Sequence, residues 1–149
     1  MPDDLLRPTI GAGVDLKVRP WRLMSQAYVA FFGGAIASTV ITFLNARRLG
    51  VSAARRGLIV LTGVVGVAAV IAVFVLSGGD RDYSYGLRIL VRLVAVGCCL
   101  VQLHLQRPMD RAFQLRGGDY ASLWGPGIAA VVGGFAVDAL IEELVARAL

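Results

Sequence analysis

The stretch from Gly57 to Ser77, GLIVLTGVVGVAAVIAVFVLS, contains no ionisable side chain, and only Thr62 and Ser77 are polar. A run of about 20 apolar residues, rising about 1.5 Å each as a helix, matches a hydrocarbon layer roughly 30 Å thick. Its many valines favour a strand in water, but a lone strand in lipid leaves a row of N–H and C=O groups unpaired, so the bilayer selects a helix. The stretch therefore predicts a transmembrane helix.

The remainder of the chain agrees with a membrane setting. Of 149 residues, 57% are apolar and only 17% charged, which is far from the balance of a soluble domain. The net charge of +5, from 15 Lys and Arg against 10 Asp and Glu, is scattered between apolar runs. That distribution suits lipid headgroups and argues against nucleic acid, which calls for a basic patch on one face. Cys98 and Cys99 are adjacent inside an apolar run and lack metal or redox spacing, so they read as small packing residues. His104 has no second histidine or carboxylate in its turn. No metal or cofactor is expected.

In chain order, residues 1–22 form a polar tail broken by Pro2, Pro8 and Pro20, ending in an interfacial Trp21-Arg22. A cleaved signal peptide is not expected, because the apolar run that follows is too long and ends in Ala46-Arg47-Arg48. Residues 23–46 form a first span, in which Gly33 with Ala37 and Gly34 with Ser38 give small-residue rows for close helix packing. A short basic link leads to the second span, 57–77. A turn at Gly78-Gly79-Asp80 and the interfacial Tyr83 and Tyr85 precede the third, 85–106. Residues 107–121 contain Met109, Phe113 and Leu115 among charges, as in a short interfacial helix. The fourth span, 122–144, opens with Ser122-Leu123-Trp124-Gly125-Pro126 and carries a packing row at Gly125, Ala129 and Gly133, with Ala130 and Gly134 as another. The expected fold is all-α: four transmembrane helices in an antiparallel bundle.

Charge enters only the third and fourth spans. Arg88 and Arg92 lie four apart, on a helix face that continues to Ala95, Cys99, Gln102 and Gln106. Asp138 and Glu142 have the same spacing near the end of the fourth span. If these spans run antiparallel, Arg88 and Arg92 lie roughly 5 and 10 Å below one membrane boundary, and Glu142 and Asp138 roughly 3 and 9 Å below it. Depth then pairs Arg92 with Asp138 and Arg88 with Glu142. Charges at membrane depth pair, snorkel or line water, so the four residues form either two structural ion bridges or a polar vestibule for an anion, proton or lipid headgroup. The connecting loops favour the first and third in the cytoplasm and both termini outside, although the basic tail opposes this.

Phe31-Phe32-Gly33-Gly34, Asn45-Ala46-Arg47-Arg48-Leu49-Gly50 and Ser122-Leu123-Trp124 together resemble a loose group of small uncharacterised bacterial membrane proteins. That group has a Phe-Leu-Gly-Gly-Pro stretch in its first helix, an Asn-x-x-x-Leu-Gly exit and a Ser-x-Trp start to its last helix. Here Phe32 replaces the leucine and Ala35 the proline, removing the ring that would fix a kink. The resemblance implies a four-helix protein of a bacterial cytoplasmic membrane and transfers no catalytic residue.

Function must then be argued from chemistry. The expectation is a non-enzymatic scaffold or partner-binding subunit, contacting lipid and either a second copy or another membrane protein. The alternative is a small oligomeric transporter or channel using the vestibule at Arg88, Arg92, Asp138 and Glu142. An enzyme is not expected, since no nucleophile–base pair, metal-ligand set or phosphate-cradling loop is present in the sequence.

Overall fold

Long apolar runs punctuated by polar, glycine-bearing links fold as four helices: α1 (Leu23–Arg48), α2 (Ala53–Leu76), α3 (Tyr85–Leu115) and α4 (Trp124–Ala148). The computed structural model describes residues 16–77 and 85–148. The expected tail up to residue 15 and the turn at residues 78–84 lie outside the described residues. Helices α1, α2 and α3 are long and apolar enough to cross a membrane. α1 and α3 end alike: Gly50 and Gly117 take left-handed φ of 69° and 70°, and the next residue's N–H returns to a carbonyl of the last turn, Val51 to Ala46 and Gly118 to Phe113.

The first helix departs from the expected straight rod. A continuous helix of its 26 residues would be about 39 Å long. Yet the Trp21 N–H donates to Asn45 Oδ1 at 2.7 Å, and the Arg48 guanidinium lies 4.0 Å above the Trp21 ring. The helix is therefore folded back on itself. The reversal is at Gly34, whose φ of 76° and ψ of −169° are non-helical and belong to a region that only glycine enters readily. Residues 23–33 ascend, residues 35–48 return, and the two arms, about 16 and 21 Å tall, stand side by side. This corrects the expected single rod over residues 23–46: the segment runs out to Gly34 and returns.

The hairpin is the centre of the molecule. Its base is closed by Leu23, Ala46, Leu49 and Val51, packed with Ile59 of α2 and Leu103 and Phe113 of α3. Trp21 is only 2% exposed and is covered by the chain itself, in one cluster with Val29, Ala37 and Ile41. Val29, Ala37 and Ile41 pack against Ala130 and Val131 of α4. On α2, Gly63 leaves room for Thr39, and Gly66 fits between Ala35 and Cys98. Small residues bring the hairpin's neighbours close enough for backbone contact.

A buried polar column fixes the returning arm to α3. Gln102 Oε1 accepts from Thr42 Oγ1 at 2.9 Å, while its Nε2 donates to Thr39 Oγ1 at 3.0 Å and to the Ile59 carbonyl at 3.1 Å. Asn45 Nδ2 donates to Gln106 Oε1 at 3.0 Å. Gln102, Gln106, Ala95 and Cys99 are fully buried, so the face that continues from Arg88 and Arg92 is the face turned to α1. Among the described residues, Gln26 on the ascending arm is also fully buried, and neither of its amide atoms has a partner.

Two further expectations change. α3 continues through Pro108 to Leu115, so residues 107–115 extend that helix and do not form a separate interfacial one. Its final turns are tied to the following link by Asp110, which accepts from Tyr120 Oη at 2.8 Å and from Gln114 Nε2 at 3.0 Å. α3 and α4 were expected to pack face to face. No Cα of one comes within 8 Å of a Cα of the other among the described residues, because the hairpin stands between them.

Candidate functional site

Reversing a helix exposes the end of one arm and the start of the other. The arm that ends carries carbonyls with no partner ahead of them, and the arm that begins carries N–H groups with none behind. The two charged residues predicted deepest in the membrane arrive at this point. Arg92 Nη1 donates to the Phe32 carbonyl at 3.1 Å, a cation at the negative end of the ascending arm. Asp138 stands on the other side: a Cβ built on Gly34 would lie 2.9 Å from Asp138 Oδ2 and 3.6 Å from Arg92 Nη1. A carboxylate is thus set at the positive start of the returning arm.

Arg92 reaches the tip because α3 runs beside the returning arm, in the register fixed by Gln102 and Gln106. Its guanidinium then crosses toward α4, with Cζ 5.2 Å from the centroid of the Phe135 ring. Asp138 reaches the tip because α4 rises beside the ascending arm. An added Cβ at Gly134 would sit against the Gly33 carbonyl and Ala37, and one at Gly33 would sit 2.9 Å from the Val131 Cα. The sequence missed the parts played by Phe32, Phe135 and Asn45. The only signal for them was the Gly-Gly pair in the middle of an apolar run, which reads equally well as a packing row.

Above the tip the hairpin ends while the other three helices continue. The space left is a cavity of about 430 Å³. Its floor is Gly34 and Ala35, and Arg88, Arg92, Asp138 and Glu142 all line it. Its back is α2, through Val67, Val70, Ile71 and Phe74. The four charged residues singled out in the sequence are therefore brought to one cavity, from opposite sides of it and over the tip of α1. Arg92, Asp138 and Glu142 are partly buried, whereas Arg88 is exposed.

The predicted packing residues divide. Gly33 and Gly34 are buried at the tip. Gly125 and Gly133 have nothing within 4 Å of an added Cβ, and Ala129 is exposed, so that row faces away from the hairpin. The row that packs within the chain contains Ala130 and Gly134, one helical position away. His104 is exposed, and Cys98 and Cys99 are free thiols, the second fully buried. Among the described residues no group of three His, Cys, Asp or Glu side chains could hold a metal ion. No protein-family model, curated protein or solved structure matches this chain.

Proposed function

We propose that this is a non-enzymatic integral membrane protein of a bacterial cytoplasmic membrane, a small carrier or channel subunit whose vestibule binds a charged group at the tip of a re-entrant hairpin. The observation that carries the reading is the Arg92 to Phe32 bond at the floor of the cavity. Non-helical backbone at membrane depth survives where protein buries it or where it lines a water-filled cavity, and interrupted helices are the usual place for solutes to bind. On this reading α2, α3 and α4 cross and α1 dips. α4 crosses despite Asp138 and Glu142, because both carboxylates turn into the cavity and away from lipid.

Orientation follows from the hairpin. With α1 returning to its starting side, Lys17, Arg19 and Arg22 join Arg47, Arg48, Arg55 and Arg56 of the first link and Arg107, Arg111 and Arg116 near the end of α3 on one face. The excess of basic residues on that face assigns it to the cytoplasm. On this reading the vestibule opens to the outside and the amino terminus lies inside, where the connecting loops taken alone favour both termini outside.

Labelling tests the vestibule. In a background with Cys98 and Cys99 replaced by alanine, Ala139→Cys lines the cavity and Val132→Cys faces lipid. A membrane-impermeant maleimide added from outside labels the first and spares the second. Failure to label Ala139→Cys in folded protein removes the vestibule. A second reading, a partner-binding subunit, is supported by the outward row Gly125, Ala129 and Gly133, whose small residues permit close approach of another helix. Disulfide cross-linking of Ala129→Cys between copies in native membranes tests it.

A further inference from the structure

We propose that the vestibule seats the headgroup of a zwitterionic phospholipid, admitted sideways from the outer leaflet through the slot between α3 and α4; this rests on the vestibule reading above. Two observations carry it. The cavity is two-faced: guanidinium groups come from α3, carboxylates from α4, and an aliphatic and aromatic back wall from α2. The charges are segregated by helix, Arg88 and Arg92 on one rim and Asp138 and Glu142 on the other. The two helix backbones stand apart, with no Cα of α3 within 8 Å of one in α4 among the described residues, so the gap between them is spanned by side chains, Arg92 lying 5.2 Å from the Phe135 ring centroid, and can open toward lipid as they move.

Each feature selects against a simpler ligand. A simple anion fits the arginines but is repelled by two carboxylates, and a simple cation meets the opposite conflict. A phosphate joined to an ammonium by a short link satisfies both rims at once, phosphate on α3 and ammonium on α4. A water-soluble zwitterion would gain little from Val67, Val70, Ile71 and Phe74, whereas the first methylenes of the acyl chains bury against them before the chains turn out through the slot. A cavity of about 430 Å³ falls within the size range of small-ligand sites, so it takes a headgroup while the chains leave through the slot.

Native mass spectrometry of the delipidated full chain tests this, by titration with phosphatidylethanolamine, phosphatidylglycerol and soluble glycerophosphoethanolamine. The expected result is retention of phosphatidylethanolamine about tenfold above phosphatidylglycerol, the size of one charge-assisted contact, and weak binding of the soluble headgroup. Glu142→Gln, which leaves the hairpin tip untouched, narrows the preference, and Asp138→Asn abolishes it. Equal retention of the two lipids, unchanged in Glu142→Gln, overturns the zwitterion assignment. Glycerophosphoethanolamine binding as tightly as the lipid overturns the lipid source but leaves a solute vestibule standing. No binding of any of the three, together with an unlabelled Ala139→Cys, removes the inference and the vestibule together.

Discussion

Gly34 is the residue on which the reversal of α1 turns. Its φ of 76° is costly for any side chain, and an added methyl would meet the Asp138 carboxylate. Gly34→Ala is expected to destabilise by about 1–3 kcal/mol, read as a lower melting temperature in detergent. Gly125→Ala has open space around it and is expected to be neutral within about 1 kcal/mol in the same assay. Tyr120 offers a separate handle on the link between α3 and α4. Burial, reinforced by its bond to Asp110, raises its phenol above the ordinary value near 10. The folded state therefore holds this proton more tightly than the unfolded one, so the contribution is complete below about pH 10 and is lost as pH climbs through the folded-state value. Tyr120→Phe should flatten that alkaline loss in a pH series of thermal melts.

The hairpin as an element is held at its base as much as at its tip. Asn45 joins the two arms through the Trp21 N–H and joins them to α3 through Gln106. Asn45→Ala leaves a backbone donor and an amide oxygen unpaired in a buried place, a loss of about 1–3 kcal/mol for each group. It should expose the link between the arms and α2 to protease before the rest of the bundle unfolds. In the sequence Asn45 looked like the polar exit of a span, because a residue that closes a hairpin and one that ends a rod both sit beside Arg-Arg. Hydropathy sees side chains and not the path of the backbone, so residues 23–46 read as a crossing. By contrast, the spacing of Arg88, Arg92, Gln102 and Gln106 declared the inner face of α3, since a helix fixes which residues share a side whatever its partner. The partner was the unreadable part: Asp138 and Arg92 meet over a glycine of α1, and nothing in the spacing of α3 or α4 names that third element.

At the scale of the whole molecule, the proposed reading counts three crossings, α2, α3 and α4, with the hairpin of α1 returning to its starting side. A straight first helix divides the basic residues almost evenly between the two faces, and a returning one gathers them on one. The expectation is that a cysteine placed at Lys17 is shielded from an impermeant reagent in intact cells, and one placed at Arg147 is labelled. The reverse pattern would reject the orientation, and labelling of both ends would restore a crossing for α1.

On the proposed reading, a dipping element that reaches only about 16 to 21 Å leaves the remaining depth of a roughly 30 Å layer to whatever fills the vestibule. If that filling is aqueous, the outer solution extends electrically down to Gly34, and the resting voltage of the cell falls over the height of the hairpin alone. The field there is then steeper than in the surrounding lipid, and Arg92 and Asp138, fixed at its upper edge, stand where a small displacement of charge couples most strongly to membrane potential.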